Sequence, residues 1–235
     1  MTHRDTCVHY LAYGGFRLAG YTSRMPQPQK KPDEWTMPGP TTVAFGFDVL
    51  DRIEEAIAMV KERLRRAVTA LEQRGIPYAV VGGHAVAAWV SRVDPAAVRT
   101  TVDVDLLVAR GDFAAVKAAL EEAGFVHSFT FGIDIFVDGP QGKAREAVHI
   151  LYAGEQVKPT DPVPSPGLET AERFEGYRIM DLDRLITMKL VAFRDKDRTH
   201  LRDMIDVGLI DAATLDRLPE PLRPRLAELL ANPDG

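Results

Sequence analysis

The sequence of 235 residues contains one cysteine, Cys7, and no apolar run of the roughly 18 residues that a membrane-spanning helix requires. A single cysteine excludes an internal disulfide framework. Residues 1–25 lack the uninterrupted apolar segment of a secretion signal. Positive charge is also scarce, because 29 Lys and Arg residues against 34 Asp and Glu residues give a formal net charge of −5. This charge argues against a surface that holds nucleic acid throughout, but it is compatible with a local basic groove. We expect a soluble, cytoplasmic protein.

Hydrophobic residues make up 46% of the chain, which is enough for one sizeable core. Residues 1–45 show no sustained periodicity and include the proline-rich stretches 25–32 and 37–40, so a poorly ordered N-terminal arm is predicted. Residues 46–158 mix helical and strand patterns, whereas residues 159–235 carry mainly helical patterns. The predicted fold class is α+β, a small mixed β-sheet flanked by helices and followed by a helical C-terminal region.

Apolar spacing predicts the main helices. Between residues 47 and 74 apolar residues recur every three or four positions, which indicates one long helix that ends at Gly75. A second helix is predicted from Asp181 to about Arg194, and a third from about Asp197, as its N-cap, to Val207. Shorter helices are expected after the glycine pair at 82–83, from Asp112 to Ala123, and from Ala212 and Pro221 onwards.

Strand patterns surround these helices. Strands are predicted at 78–81, in the segment that holds residues 103–108, at 125–137 as one or two strands, and at 147–153. The sequence Asp138-Gly-Pro-Gln-Gly142 between the last two is rich in turn-forming residues, so they should form a hairpin.

Asp103 and Asp105 are the chemically most informative residues. They are separated by one residue, so on a strand both side chains point to the same face. Two carboxylates this close repel each other unless a cation lies between them, and Mg2+ is the usual oxygen-preferring ion. The alternative is a strand edge with two solvated aspartates. The apolar flanks and an upstream glycine turn favour the metal site.

Gly82 and Gly83 lie between a predicted strand and a predicted helix. Glycine there lets a ligand approach the backbone closely, and the amides at the start of a helix attract phosphate. A tight turn without a ligand is the alternative reading. Together with a carboxylate pair for the metal that bridges phosphates, the glycine turn indicates nucleotide chemistry.

Two motifs, Val81-Gly-Gly-His-Ala-Val-Ala and Arg99-Thr-Thr-Val-Asp-Val-Asp-Leu-Leu, resemble the nucleotidyltransferase superfamily of the DNA polymerase β type. More narrowly, they resemble the minimal nucleotidyltransferases and AbiEii-like toxin proteins of bacteria. The resemblance extends over about residues 78–207. It implies an enzyme that transfers a nucleoside monophosphate from an NTP to a hydroxyl acceptor with Mg2+ as cofactor.

Downstream, the stretch Met188-Lys-Leu-Val-Ala-Phe-Arg-Asp-Lys-Asp-Arg-Thr-His-Leu-Arg-Asp203 is similar to the Lys-and-Arg helix of the AbiEii-like group and the helix after it. The resemblance of these motifs implies roles for individual residues. Asp103 and Asp105 would be catalytic and would hold the metal, Lys189 and Arg194 would face the triphosphate, and Asp203 would support the site. Lys189 and Arg194 are five residues apart on the predicted helix, so they diverge moderately but can bracket one anion. Solvated surface charge is the alternative reading of both.

The superfamily usually has a third carboxylate on a later strand flanked by apolar residues, and here that place holds His149. A histidine can ligate a metal or take a proton from an attacking hydroxyl. Asp134, on the other arm of the predicted hairpin, can replace it if the strand register brings both to one face. A half-buried structural histidine is the third possibility, and the sequence leaves the choice open.

Three functions are compatible with these observations. The first is a nucleotidyltransferase whose acceptor is RNA such as tRNA, a protein hydroxyl or a small molecule. The second is a catalytically degenerate module that binds nucleotide without turnover. The third is a protein-interaction component of a toxin–antitoxin-like system, with a cognate antitoxin-like partner.

Overall fold

The computed structural model describes residues 48–130 and 132–232, and the predicted N-terminal arm lies outside them. The helices are α1 (Asp48–Gln73), α2 (Gly82–Ser91), α3 (Phe113–Glu122), α4 (Leu182–Ala192), α5 (Asp195–Asp206), α6 (Thr214–Arg217) and α7 (Arg223–Ala231). The strands are β1 (Tyr78–Val81), β2 (Val104–Val108), β3 (Phe125–Thr130), β4 (Ile133–Asp138), β5 (Val148–Tyr152), β6 (Glu172–Phe174) and β7 (Tyr177–Ile179).

The strands form one mixed sheet in the order β3-β4-β5-β2-β1-β7-β6. Strand β2 pairs antiparallel with β1 and parallel with β5, and β1 pairs parallel with β7. The remaining neighbours are antiparallel, including the predicted hairpin of β4 and β5. The sheet and its flanking helices confirm the predicted α+β fold class.

Alternating side chains of the central strands divide the core into two layers. Val80 and Leu106 point to the face covered by α1 and α3. Ala79 and Leu107 point to the opposite face, which packs against α2, α4, α5 and α7. Because side chains alternate along a strand, Asp105 lies on the same face as Leu107. The carboxylate is therefore directed towards the layer that contains α4 and α5.

Helix α1 confirms the helix predicted from three-to-four spacing, although only part of its apolar stripe is buried. Residues from Val60 to Leu71 pack into the core, whereas Leu50, Ile53 and Ile57 are exposed. None of the helices within 48–130 and 132–232 combines the length and the apolar character needed to cross a membrane.

The prediction for the α4 region was wrong in two details. Helix α4 ends at Ala192, because Phe193 adopts a left-handed conformation with φ of 44°. Arg194 is consequently the N-cap of α5 and does not share a helix with Lys189. Asp197 is the third residue of α5, not its N-cap. Two further strands, β6 and β7, extend the sheet and were not predicted.

Candidate functional site

The register of the sheet brings Asp105 and His149 together. In the parallel pair of β2 and β5, Asp105 lies opposite His149, and in the antiparallel pair of β1 and β2 it lies opposite Val81. Paired residues in a sheet direct their side chains to the same face. The histidine therefore reaches the carboxylate from a strand that starts more than forty positions further along the chain.

Asp103 completes a cluster of three groups able to hold a metal ion. It lies one residue before β2, so it is not inside the strand itself as predicted. One ligand atom from each of Asp103, Asp105 and His149 lies within 4.8 Å of the other two. All three side chains are partly buried, with exposed fractions of 17%, 18% and 24%. Part of each side chain is thus accessible to solvent.

Asp103 is held as a carboxylate by its neighbours. The Thr101 hydroxyl donates a hydrogen bond of 2.7 Å to Oδ1, and the Lys196 Nζ lies 3.5 Å from Oδ2. Burial alone would raise the pKa of Asp103, but the Thr101 hydrogen bond, the Lys196 charge, a backbone hydrogen bond and His149 together lower the pKa. Asp103 therefore keeps its negative charge at neutral pH.

Both ring nitrogens of His149 have a protein neighbour. Nδ1 lies 3.2 Å from Oδ1 of Asp105, and Nε2 lies 3.2 Å from the carbonyl oxygen of Ala144. The hydrogen bond with Asp105 raises the pKa of His149 despite its partial burial. The ring is thus fixed in orientation, with Nδ1 directed at the carboxylates.

Asp134 lies outside this cluster. In the antiparallel pair of β4 and β5 it is opposite Ile150, so its side chain points to the face away from His149. Its carboxylate accepts a hydrogen bond of 2.6 Å from Tyr152 and lies 2.7 Å from Nε2 of His127. Of the two residues that the sequence left open, the register brings His149 to the aspartates.

The absence of side chains at Gly82 and Gly83 leaves room for the groups around the two aspartates. Gly82 has a φ of 66°, and a Cβ atom there would lie 1.9 Å from Oδ2 of Asp105. A Cβ atom at Gly83 would lie 2.7 Å from Oγ1 of Thr101, the hydroxyl that donates to Asp103. Gly82 therefore leaves space for the Asp105 carboxylate, and Gly83 leaves space for the Thr101 hydroxyl that holds Asp103. The sequence predicted close approach to phosphate here and did not predict this contact.

Lys189 and Arg194 converge on Asp197. Nζ of Lys189 lies 3.1 Å from one carboxylate oxygen of Asp197, and Nε of Arg194 donates to the other at 2.7 Å. Asp197 is fully buried and Lys189 is only 5% exposed, whereas the Arg194 side chain is 57% exposed. Burial lowers the pKa of Lys189, with the Asp197 charge opposing this shift. Only Arg194 of the two cations presents much of its surface to solvent.

Asp203 joins α5 to the segment that precedes Asp103. Its two carboxylate oxygens accept bonds of 2.9 and 2.7 Å from Nε of Arg99. This contact connects the Arg-Thr-Thr part of the second motif to α5. Asp203 therefore contacts the segment before Asp103 through Arg99.

A cavity of about 460 Å3 opens over these groups. Its wall includes the three clustered residues, Gly82, Lys189, Arg194 and Lys196. The sequence did not single out Lys196 or Thr101. Both lie inside stretches that carry the resemblance, but the approach of Lys196 to Asp103 depends on how α5 packs.

Several solved structures resemble the chain over part of its length, including the following three. The solution structure of the antibiotic-resistance factor ANT(2'')-Ia is 18% identical, with a TM-score of 0.47, and covers 73% of this chain and 95% of that chain. The crystal structure of ANT(2'')-Ia with adenylyl-2''-tobramycin is 16% identical, with a TM-score of 0.47 and coverages of 73% and 98%. An antigenic nucleotidyltransferase-like protein from Paracoccidioides brasiliensis is 24% identical, with a TM-score of 0.47 and coverages of 77% and 90%.

No curated protein matches the chain in sequence. Residues 48–158 match a protein family described as uncharacterised nucleotidyltransferase. The matched segment extends from α1 past β5 and contains Asp103, Asp105 and His149. The match does not distinguish the AbiEii-like subgroup. It supports the nucleotidyltransferase superfamily that the two sequence motifs resemble.

Proposed function

We propose that the protein transfers a nucleoside monophosphate from an NTP to a hydroxyl acceptor, using a divalent cation for which the sequence predicts Mg2+. The observation that carries this proposal is the convergence of Asp103, Asp105 and His149 within 4.8 Å at the wall of a cavity that also contains basic side chains. Negative groups for a cation and positive groups for phosphates are both required for nucleotide chemistry.

The residues of the cluster fit a divalent cation. Two carboxylates supply oxygen donors and a charge of −2, and the pKa of Asp103 is lowered so that its charge is kept. When bound, such a cation neutralises phosphate charge and aligns the phosphates for displacement. Asp103 and Asp105 would hold it, and Gly82 keeps the Asp105 carboxylate in place because no Cβ atom occupies that space.

In the proposed reaction, the acceptor oxygen forms a bond to the α-phosphorus of the NTP. The bond between the α-phosphorus and the bridging oxygen breaks, and pyrophosphate leaves with the electron pair. The acceptor hydroxyl gives up its proton to solvent water at the open cavity. Arg194 and Lys196, both at the cavity wall with more than half of the side chain exposed, offset the negative charge that develops on the phosphates.

Lys189 has a different place in this proposal from the one the sequence implied. It is buried against Asp197, so it acts by fixing the carboxylate that in turn orients Arg194. A buried Lys–Asp pair holds its geometry because separating the two charges inside the protein is costly. Lys189 is therefore proposed as a positioning residue, and Arg194 as the phosphate contact.

The test is transfer from NTPs labelled at the α-phosphate, with the protein incubated with RNA, protein and small-molecule fractions and a divalent cation. Label should move to one acceptor class with release of pyrophosphate. Asp103→Asn and Asp105→Asn should abolish transfer, and Asp216→Asn, an exposed aspartate on α6, should not change it. Transfer that persists in both cluster variants would falsify the proposal.

His149 at the position of a usual third carboxylate favours a second candidate, binding of nucleotide without turnover. That candidate predicts NTP binding by calorimetry with no label transfer to any acceptor class. The AbiEii-like resemblance adds a cognate antitoxin-like partner to the first proposal. Co-purification of one defined protein with the tagged chain, and inhibition of transfer by it, would support that addition.

A further inference from the structure

The orientation of the His149 ring is fixed from both sides. Nε2 lies 3.2 Å from the carbonyl oxygen of Ala144, and a carbonyl oxygen can only accept a hydrogen bond. Nε2 therefore carries a proton. Nδ1 faces Asp105 at 3.2 Å, where a proton on Nδ1 would donate to the carboxylate. A cation bound at the cluster would replace that proton, and Nδ1 would then offer its lone pair to the cation.

The residues that hold the His149 ring lie in regular secondary structure. Ala144 begins the 3-10 turn Ala144–Glu146, directly before β5, and His149 is held opposite Asp105 by the parallel ladder of β2 and β5. Metal-ligating histidines usually donate their second ring N–H to a carbonyl or carboxylate, which fixes the tautomer and the ring orientation. The Ala144 carbonyl is the corresponding hydrogen-bond acceptor for Nε2 of His149.

We propose that the cluster of Asp103, Asp105 and His149 binds a divalent first-row transition-metal ion in preference to Mg2+, with Nδ1 of His149 as the third ligand. This inference deepens the proposed function and rests on it. Imidazole nitrogen is a good ligand for first-row transition metals, whereas Mg2+ strongly prefers oxygen and keeps its water when a nitrogen is offered. Replacing a third carboxylate by a neutral imidazole also removes one negative charge, which weakens the attraction on which Mg2+ depends.

The test uses the full chain with Mn2+ as the probe. Electron paramagnetic resonance of the free ion gives the affinity for Mn2+, and competition gives the affinity for Mg2+. We expect Mn2+ to bind about tenfold more tightly or better. In His149→Asp the ratio should fall to about threefold or less, because all donors are then carboxylate oxygens. Asp134→Asn, on the opposite face of the sheet, should keep the wild-type ratio.

A second measurement has a wild-type readout that does not depend on any variant being folded. Electron spin-echo modulation of bound Mn2+ in the wild-type protein should show coupling to one 14N nucleus, and this coupling should be absent from His149→Asp. Wild-type protein that binds Mn2+ without nitrogen coupling overturns the inference. So does an unchanged Mn2+ to Mg2+ ratio in a folded His149→Asp variant.

These outcomes are separable from the proposed function. Nitrogen coupling and Mn2+ preference without label transfer would leave the metal inference standing and remove the transferase. Transfer that runs equally well with Mg2+ and Mn2+, without nitrogen coupling, would keep the transferase and remove the inference.

Discussion

Gly82 leaves the space that the Asp105 carboxylate fills, since a Cβ atom at Gly82 would lie 1.9 Å from Oδ2 of Asp105. Gly82 also has a positive φ of 66°, which L-residues with side chains rarely adopt. Position 82 therefore requires glycine for two reasons, its backbone conformation and the space that the Asp105 carboxylate occupies. These two requirements can be separated by experiment, because Gly75 shares only the first.

We expect Gly82→Ala to destabilise the fold and to weaken metal binding. The methyl group must displace the Asp105 carboxylate, so the loss of stability should exceed the cost of about 1–2 kcal/mol for the left-handed backbone alone. Mn2+ affinity should fall by about tenfold or more. Urea unfolding and Mn2+ titration measure the two effects.

Gly75→Ala is the matched control. Gly75 has a φ of 64°, and a Cβ atom there would meet nothing within 4 Å. This variant should show the backbone cost and unchanged Mn2+ affinity. Equal metal affinities in the two variants would show that the contact between residues 82 and 105 does not position the carboxylate.

The two aspartates could be found from the sequence because their spacing is local. Residues two positions apart share a face wherever the chain is extended, whatever the rest of the fold does. The contact of His149 with Asp105 could not be predicted from local spacing. It depends on the register between β2 and β5, and strands β3 and β4 lie between these two in the chain. Sequence patterns do not fix such a register. For the same reason they left Asp134 as an alternative.

The buried pair of Lys189 and Asp197 should dominate the stability of the α4–α5 junction. Asp197→Asn leaves Lys189 buried beside a neutral amide, and loss of one partner from a buried ion pair costs about 3–5 kcal/mol. The double variant Lys189→Met with Asp197→Asn should recover part of this loss, because no buried unpaired charge remains and Arg194, whose side chain is 57% exposed, is solvated. Urea unfolding of the singles and the double gives the coupling energy.

The exposed pair of Glu62 and Arg65 on α1 is the control for that cycle. Surface ion pairs contribute little, so Glu62→Gln should leave the unfolding midpoint unchanged within error. Additive effects of the Lys189 and Asp197 substitutions would contradict the prediction. So would a double variant less stable than Asp197→Asn alone.

The fold itself was predicted best where elements are long or bounded by glycine and proline. Helix α1 has seven turns in which the apolar spacing can repeat, and its end at Gly75 is marked in the sequence. Strands β6 and β7 have three residues each, too few for an alternating pattern to be recognised. The end of α4 was missed because Phe193 adopts a left-handed conformation that glycine or asparagine usually takes.

Asp134→Asn should affect stability without affecting the metal. Asp134 accepts from Tyr152 at 2.6 Å and contacts His127 at 2.7 Å, so an amide in its place loses one acceptor and puts a donor beside its neighbours. We expect a loss of about 1–2 kcal/mol in urea unfolding. Mn2+ affinity should match the wild type, because the side chain points to the other face of the sheet. Reduced Mn2+ affinity in a folded variant would return Asp134 to the site.

His200 should make stability depend on pH between about 4 and 6.5. Burial lowers its pKa from 6.5 to about 4, with the charge of Lys189 acting in the same direction, Asp197 and Asp203 opposing it, and Lys196 adding a smaller lowering effect. Its Nδ1 is buried without a hydrogen-bond partner among the described residues. At neutral pH the ring is therefore uncharged in the folded protein.

The sign of the effect follows from the two pKa values. Below pH 6.5 the unfolded chain binds a proton at His200 that the folded protein does not accept until about pH 4. Stability should be constant with respect to this group above pH 6.5 and fall as the pH decreases to 4. Because the ring is partly exposed, we expect a loss of about 1–2 kcal/mol rather than the full value of the shift.

Urea unfolding at pH 7, 6, 5 and 4 tests this prediction. His200→Asn removes the titrating ring while keeping a polar side chain, so its stability should decline less steeply over this range than that of the wild type. Thr199→Ser, a non-titrating neighbour on α5, should retain the wild-type slope. Parallel slopes for the wild type and His200→Asn would show that the unfolded and folded states bind this proton alike, and burial of the ring would then contribute nothing to the acid sensitivity of the α5 layer.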